Sequence, residues 1–191
     1  MAAPHVSPSL DDDKRALRQR MLRVRDGLDP AAAGLALGAH LLRDRPPPAG
    51  AVVSGFWPIG QEIDIRPLLF ALHLRGHPIA LPVTPRKGLP LTFAAWQPGD
   101  VLAPEAFGTS RPVGAPLVPQ VLLVPLLAFD RRLRRLGYGA GYYDRTLAGL
   151  AGAVAIGCAF RQQEVDAVPT GPYDMPLHAV VTDAGVIGGD G

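Results

Sequence analysis

The chain has 191 residues, of which 22 are glycine and 21 are proline, yet 48% are hydrophobic and no low-complexity tract repeats. That combination excludes a fibre and a disordered tail, and a chain of this length buries roughly 70% of its unfolded surface. Nineteen basic and seventeen acidic side chains leave a net charge of only +2, so any site for an anion must be local.

The single cysteine, Cys158, excludes a disulfide framework and a multi-cysteine metal site. It favours a reducing compartment, so we expect a cytoplasmic protein. The longest apolar runs are far shorter than the ~20 residues that cross a bilayer, and no membrane span is expected. The first ten residues lack the apolar core of a signal peptide and precede three aspartates, so no leader is expected either.

Two helices are predicted before Pro46. From Lys14 to Leu28, apolar residues recur at steps of four, three and four, with basic residues on the other faces. The second helix is expected to begin at Pro30, with Asp29 as its cap, and to end before the three prolines. Together they predict an N-terminal helical hairpin.

Short apolar segments then alternate with turns, which is typical of an α/β protein. We expect a three-layer α/β/α fold with a mostly parallel central sheet. Residues 97–119 are rich in proline and glycine and predict a long loop, such as a lid or a wall of an active site. The predicted strands are 51–57, 79–83, 91–96, 121–127, 153–158 and 179–182, and the predicted helices are 67–75 and 142–150.

The segment with the clearest chemistry is residues 128–145, AFDRRLRRLGYGAGYYDR, between a predicted strand and a predicted helix. Its alternating glycines allow backbone N–H groups to turn toward an anion, and the helix start adds the positive end of its dipole. Asp144 follows, and a carboxylate beside phosphates usually indicates Mg²⁺. Spacing alone leaves a tight turn as the alternative. Four arginines raise the local positive potential: Arg131, Arg132, Arg134 and Arg135.

This string closely resembles the signature of the 5-formyltetrahydrofolate cyclo-ligase family (5,10-methenyltetrahydrofolate synthetases), RLGYGGGYYDR. Further similar segments follow in the family's order: KxxLR at 14–18, FWPIGQEIDI at 56–65, the LPV, KGxPLxF and PGD elements within 81–100, and a closing stretch at 160–182. The chain departs from the family pattern at Ala94, Leu126 and Ala140.

The resemblance implies an ATP-dependent cyclo-ligase that converts 5-formyltetrahydrofolate to 5,10-methenyltetrahydrofolate with release of ADP and phosphate. ATP is then a co-substrate, Mg²⁺ a cofactor and the folate a small-molecule partner. We expect no nucleic-acid or membrane partner, and a monomer. The expected organisation is a flexible tail at 1–13 and a single cyclo-ligase-like α/β domain at 14–191.

The resemblance also implies residue roles. Arg135 and Tyr142 would be catalytic, and Asp144 and Asp174 would hold Mg²⁺. The implied ATP-binding residues are Lys14, Arg18, Arg135, Leu136, Gly137, Tyr138, Gly139, Ala140, Gly141, Tyr142 and Tyr143. The implied substrate-binding residues are Trp57, Glu62, Tyr138, Gly139, Ala140, Gly141 and Tyr142.

Several alternatives stay open at this stage. The same fold and ATP site could serve another pterin or a small acid. The basic residues of the first helix and of the arginine-rich segment could form a nucleic-acid surface, although no row of stacking aromatics accompanies them. Individually, Lys14 and Arg18 could be a solvated helix face, Asp144 could pair with Arg145, and Asp174 could make a turn.

Overall fold

The computed structural model describes residues 9–104 and 110–188. The helices are α1 (Leu10–Arg25), α2 (Pro30–Asp44), α3 (Arg66–Leu74) and α4 (Tyr142–Gly149), with a 3-10 turn at Arg161–Gln163. The strands are β1 (Val53–Ser54), β2 (Ile79–Val83), β3 (Thr92–Trp96), β4 (Ala103–Pro104), β5 (Ser110–Arg111), β6 (Val121–Pro125), β7 (Ala128–Phe129), β8 (Arg135–Leu136), β9 (Val154–Ala159), β10 (Ala179–Thr182) and β11 (Gly185–Ile187).

Seven strands form one sheet in the order β11-β10-β9-β6-β1-β2-β3. The five inner strands are parallel, and only the edge strands β11 and β3 pair antiparallel. Successive residues of β6 alternate between two cores: Leu123 packs with residues of α2 and α3, and Leu122 packs with Leu147 of α4. Helices therefore cover both faces, which confirms the predicted three-layer fold with its mostly parallel sheet.

The strand order places a switch point between β1 and β6. From β1 the chain crosses through α3 to β2 on one side, while β6 lies on the other side. In open sheets of this kind, ligands bind beyond the carboxyl ends of the strands where the order reverses. A ligand-binding site is therefore expected beside the loops that follow β1 and β6.

The helical hairpin follows from its caps. Asp29 caps α2, its side chain accepting from the N–H groups of Ala31 and Ala32, and Pro30 is the first helical residue, as predicted. Helix α1 starts at Leu10 rather than at Lys14, because the Ser9 hydroxyl accepts from the backbone N–H of Asp12 and three aspartates fill the first turn. Residues 10–13 thus belong to α1 rather than to the expected tail; residues 1–8 lie outside the described part.

Helix α1 packs away from the main sheet faces. Its buried residues Leu17 and Met21 meet Leu127, Ala128 and Leu136, next to the small hairpin of β7 and β8. This contact holds α1 beside the segment that leaves β6. The cationic face of α1 therefore lies at the edge of the sheet where the parallel strands have their carboxyl ends.

The strands differ from the prediction in several places, among them the edge strand β11, which the sequence pattern did not predict. The stretch 97–119 is not entirely loop, because β4 pairs antiparallel with β5 and Pro116 bridges to Ala94; residues 105–109 lie outside the described part. The predicted strand at 121–127 ends at Pro125, and the chain then forms the β7–β8 hairpin.

In the described ranges, no helix has the length and apolar character needed to cross a membrane.

Candidate active site

A cleft of about 1050 Å³ opens at the carboxyl ends of β1, β2 and β6. Its walls come from α1, the segment after β1, the loop between β8 and α4, and the loop before β10. All fifteen residues to which the sequence assigned a role lie on these walls: Lys14, Arg18, Trp57, Glu62, Arg135, Leu136, Gly137, Tyr138, Gly139, Ala140, Gly141, Tyr142, Tyr143, Asp144 and Asp174. Pockets for one drug-sized ligand have volumes of about 300–1,000 Å³, so this cleft has room for more than one ligand group.

The glycine loop, residues 137–141, depends on backbone conformations that favour glycine. Gly139 has φ +102° and Gly141 has φ +68°. A Cβ at position 139 would lie 3.1 Å from Cζ of Arg18, and one at position 141 would lie 2.7 Å from Nη1 of Arg145. The loop therefore keeps both its path and its close contact with two guanidinium groups only with glycine at these positions.

Ala140 is the one residue of the glycine loop that departs from the signature RLGYGGGYYDR, which has glycine there. Its φ is not positive, since Leu133 is the only non-glycine residue with a positive φ in the described ranges. Alanine therefore fits without backbone strain. The carbonyl of Ala140 accepts from Nη2 of Arg145 at 2.7 Å, which fixes the middle of the loop.

Helix α4 begins directly after the glycine loop. Gly141 is its N-cap residue and no side chain caps the first turn. Met175 N–H donates to the Asp144 carboxylate in that turn at 3.0 Å. The uncapped N–H groups at the start of α4 leave the positive end of the helix available at the cleft wall.

Two cations of α1 face the opposite wall. Nζ of Lys14 is 2.5 Å from Oδ2 of Asp174, and the same oxygen accepts from the N–H of Gly171 at 2.6 Å. Nε of Arg18 donates to the carbonyl of Gly137 at 2.9 Å. The spacing of four residues places both side chains on one face of α1, as the KxxLR pattern predicted.

Arg135 and Asp144 form a second ion pair in the cleft, with Nη2 to Oδ1 at 2.7 Å. Arg135 is buried, and its other terminal nitrogen donates to the carbonyl of Met175. Both implied metal ligands, Asp144 and Asp174, are therefore paired with a cation in this structure. The two carboxylates and their partner cations line one cleft.

The arginine cluster does not converge on the glycine loop as expected. Arg131 pairs with Glu164 at 2.6 Å, and Arg134 pairs with the buried Asp130 at 2.7 Å. The β7–β8 hairpin turns between these residues, with Leu133 at φ +61°, and directs them away from the cleft. Only Arg135 of the four arginines lies on the cleft wall.

Glu62 lies on the wall that follows β1. It is only 5% exposed, and Oε2 accepts from the N–H of Ile59 at 2.9 Å. Burial raises the pKa of this carboxyl, while the hydrogen bonds from Ile59 and Tyr138 and the charge of Arg25 act in the opposite direction. A buried carboxyl with a raised pKa in a cleft is typical of a functional site.

The aromatic residues of the cleft have well-defined contacts. The Tyr142 hydroxyl donates to the carbonyl of Pro85 at 3.1 Å, which ties α4 to the loop after β2. Burial, together with the charge of Glu62, raises the pKa of both Tyr138 and Tyr143, so their hydroxyls stay protonated. Trp57 meets Trp96 edge-on, with ring centroids 5.7 Å apart, and contributes to both the core and the cleft wall.

Sequence reasoning gave no role to some cleft residues. Arg25, Phe56 and Lys87 line the cleft beside the expected set, and so does Ser110 from the stretch 97–119. Arg25 follows Arg18 by seven residues, which is two helical turns, so the α1 spacing carried a signal for it. Lys87 and Ser110 are brought in by tertiary packing, which no local pattern reports.

Cys158 is buried in β9, and burial raises the pKa of its thiol. Within the described ranges, no group of three or more histidine, cysteine or acidic side chains could hold a metal by itself. A divalent ion at this site would therefore need oxygen ligands from a bound molecule or from water in addition to protein carboxylates.

The fold and the site together define a class. This is an α/β protein with a ligand cleft at the switch point of its sheet, lined by a glycine loop at a helix start and by a buried carboxyl.

Comparison with known proteins agrees with this class. Residues 11–183 match the model of the 5-formyltetrahydrofolate cyclo-ligase family. The chain is 34% identical to a 5-formyltetrahydrofolate cyclo-ligase of Mycolicibacterium smegmatis over 171 residues, covering 83% of this chain and 84% of that one. It is also 34% identical to the Escherichia coli enzyme of that name over 143 residues, covering 70% and 79%. The solved structure of Aquifex aeolicus 5,10-methenyltetrahydrofolate synthetase has 29% identity and a TM-score of 0.76, with 91% of each chain covered. The chain belongs to the 5-formyltetrahydrofolate cyclo-ligase family.

Proposed function

We propose that this protein converts 5-formyltetrahydrofolate and ATP to 5,10-methenyltetrahydrofolate, ADP and phosphate. The main support for the proposal is that four segments far apart in the sequence line one cleft. They are α1, the Glu62 segment, the glycine loop and the Asp174 loop. Each of these segments resembles the family at the expected place. The family match supports the reaction type, and the size of the cleft supports two co-substrates.

The reaction explains the need for ATP. A formamide oxygen is a poor leaving group, and transfer of the γ-phosphoryl group to it creates a good one and releases ADP. The secondary amine of the folate then attacks the formyl carbon and loses its proton, and the C–O bond breaks to release phosphate. The protein's contribution is to position the two substrates and to stabilise the charge that moves during the transfer.

The cations of α1 and the start of α4, which line the cleft, suit a triphosphate. Arg18 lies against the glycine loop, Lys14 lies one helical turn away, and the start of α4 follows the loop. In the free protein, Lys14 and Arg135 are neutralised by Asp174 and Asp144. We propose that these two cations exchange their carboxylate partners for phosphate oxygens when nucleotide binds.

The donor set fits Mg²⁺. Two carboxylates, Asp144 and Asp174, lie on one cleft, and Mg²⁺ is usually held by one or two carboxylates together with substrate phosphates and water. We propose that they hold the ion directly or through water once their cations turn to the nucleotide. Held by Asp144 and Asp174, the ion would supply positive charge against the negative charge that develops during phosphoryl transfer.

The wall after β1 suits the folate. Glu62 would accept hydrogen bonds from N–H groups of the pteridine, and Trp57 would supply an aromatic surface beside it. Arg135 would hold phosphate oxygens and the reacting formyl group, and Tyr142 also lines the cleft.

We further infer that the protein acts as a monomer in the cytoplasm on small molecules. The buried free Cys158 suits a reducing compartment.

A turnover assay tests this function. The protein is mixed with 5-formyltetrahydrofolate, ATP and Mg²⁺, and the absorbance of the methenyl product is followed. We expect product only when all three are present, and a loss of at least about a hundredfold in turnover for Asp144→Ala, which removes a proposed ligand of the ion. Exposed Asp166, which does not line the cleft, supplies the control D166A.

Product formation by D166A but not by D144A supports the metal assignment. Full Mg·ATP-dependent turnover by D144A would show that the metal assignment is wrong. If the well-folded wild-type protein forms no product, the proposed substrate is wrong. The same site is then expected to take another pterin or a small acid.

A further inference from the structure

Arg25 is a buried cation without an assigned role. It is the last residue of α1, its side chain lines the cleft, and it is only 4% exposed. Its Nε has no hydrogen-bond partner in the described part of the protein, and no carboxylate there lies within 4.0 Å of its guanidinium. A buried donor without a partner normally costs a folded protein stability, so it calls for an explanation.

The position of Arg25 continues a row of cations. Lys14, Arg18 and Arg25 are spaced by four and seven residues and lie on one face of α1, where all three line the cleft. At 1.5 Å rise per residue, the row spans about 16 Å. Lys14 meets Asp174 at one end of the row, and Arg25 lies near Glu62 at the other.

The surroundings of Arg25 are those of a binding group. Its Cζ lies 5.7 Å from the centroid of the Tyr138 ring, a contact that orients the guanidinium. The Tyr138 hydroxyl is hydrogen-bonded to both Arg25 and Glu62, so the Nε of Arg25 is the part of the guanidinium left without a partner. The three side chains therefore present a cationic donor and an anionic acceptor next to each other where α1, the glycine loop and the segment after β1 meet in the cleft.

A purely structural role explains only part of this arrangement. The cation–π contact with Tyr138 could hold Arg25 in place, yet a neutral side chain of the same length would pack without leaving a donor unpaired. An adjacent donor and acceptor match a heterocycle that carries a ring carbonyl next to a ring N–H. The pteridine of a folate has this pair on its pyrimidine ring.

We propose that Arg25 is a further substrate-binding residue, which donates a hydrogen bond to the ring carbonyl oxygen of the pteridine while Glu62 accepts from the neighbouring ring N–H. The proposal rests on the proposed function, because it takes a folate as the substrate. Helix α1 would then contact both substrates, since its first turns bind the nucleotide and its last residue selects the head group of the folate.

The test measures discrimination between two ligands. The dissociation constants of 5-formyltetrahydrofolate and of its 4-thioxo analogue are measured by calorimetry without nucleotide. The analogue keeps the ring N–H but replaces the carbonyl oxygen with sulfur, a weaker acceptor. We expect the wild-type protein to prefer the oxygen compound by about tenfold to a hundredfold, and Arg25→Met to bind both compounds about equally.

The matched control is Arg23→Met on the same helix, because Arg23 is exposed and does not line the cleft. It is expected to keep the wild-type preference. If R25M does not fold, Arg25→Lys takes its place, since lysine keeps the charge but not the planar donor geometry, and a reduced preference is again expected.

The outcomes separate the two proposals. A wild-type preference that persists unchanged in R25M, or in R25K where that variant is used, overturns the role of Arg25 and leaves the folate reaction intact. Equal binding of both compounds by the wild-type protein also overturns it. Failure of the folded wild-type protein to bind 5-formyltetrahydrofolate at all instead contradicts the proposed function.

Discussion

The Glu62 side chain meets two opposing physical demands. Binding of ring N–H groups requires the ionised carboxylate, whereas burial raises the pKa of this group and favours the neutral acid. The hydrogen bond from Ile59 N–H and the nearby charge of Arg25 partly offset the burial. The site therefore holds a carboxyl acceptor in a dry place, and ionising it there has a cost in folding stability.

The substitution Glu62→Gln tests this balance. A carboxyl whose pKa is raised in the folded state binds more protons than in the unfolded state, so its contribution to stability falls as pH rises through that range. Glutamine does not titrate, so the Tm of E62Q minus that of the wild type should grow as the pH is raised from 4 to 8. Thermal unfolding across this range measures the difference. A difference that stays constant, or shrinks toward high pH, contradicts the raised pKa.

The glycine loop provides a second test at this scale. In Gly139→Ala, the new Cβ meets the Arg18 guanidinium at 3.1 Å and the backbone is held at φ +102°, so we expect a loss of about 1–3 kcal/mol in stability. Gly149 in α4 has open space and no positive φ, and G149A serves as the control, with unchanged or higher stability. Chemical denaturation of both variants measures this. An equal effect in the two variants would argue against a strained loop.

Helix α2 determines, at the scale of elements, where the Glu62 segment lies. Gly34 faces the backbone after β1 so closely that a Cβ would be 1.9 Å from the carbonyl oxygen of Asp64. Asp64 N–H also donates to the carbonyl of Pro30 at 3.0 Å. The segment that carries Glu62 is thus seated directly on α2.

Two glycines of α2 make a matched pair of variants. Gly38→Ala places its Cβ 3.4 Å from the Leu68 side chain, which is ordinary contact, and it gains helix propensity. Gly34→Ala forces backbone atoms apart, so we expect it to lose about 1–3 kcal/mol of stability and to weaken folate binding, while G38A stays near wild type. Denaturation and calorimetric binding measure both effects. Wild-type folate affinity in a destabilised G34A would show that α2 does not position Glu62.

Sequence patterns anticipated the elements that local chemistry determines. The start of α2 could be predicted because it depends only on the Asp29 cap and on a proline at the first helical position. The glycine loop could be predicted from the spacing of its glycines. The pairing of Arg131 and Arg134 with acids outside the cleft depends on the β7–β8 hairpin, so counting nearby arginines misplaced them. Arg25 was visible on the helix face, but its burial and its unpaired Nε arise from tertiary packing. The proposed site roles themselves stay predictions.

At the scale of the whole molecule, the fold brings two unlike walls together. The parallel strands end at one edge, the strand order reverses between β1 and β6, and α1 closes the cleft from outside the sheet. Lys14, Arg18 and the glycine loop line this cleft, and so do Glu62 and Arg25. We infer that this cleft transfers a phosphoryl group from one bound substrate to the formyl oxygen of the other.

An oxygen-isotope experiment tests this phosphoryl transfer. 5-Formyltetrahydrofolate labelled with ¹⁸O in the formyl group is turned over with unlabelled ATP and Mg²⁺ in unlabelled water, and the released phosphate is analysed by mass spectrometry. Because the formyl oxygen leaves bonded to phosphorus, each phosphate should carry one ¹⁸O atom. Methenyl product accompanied by unlabelled phosphate would contradict the account.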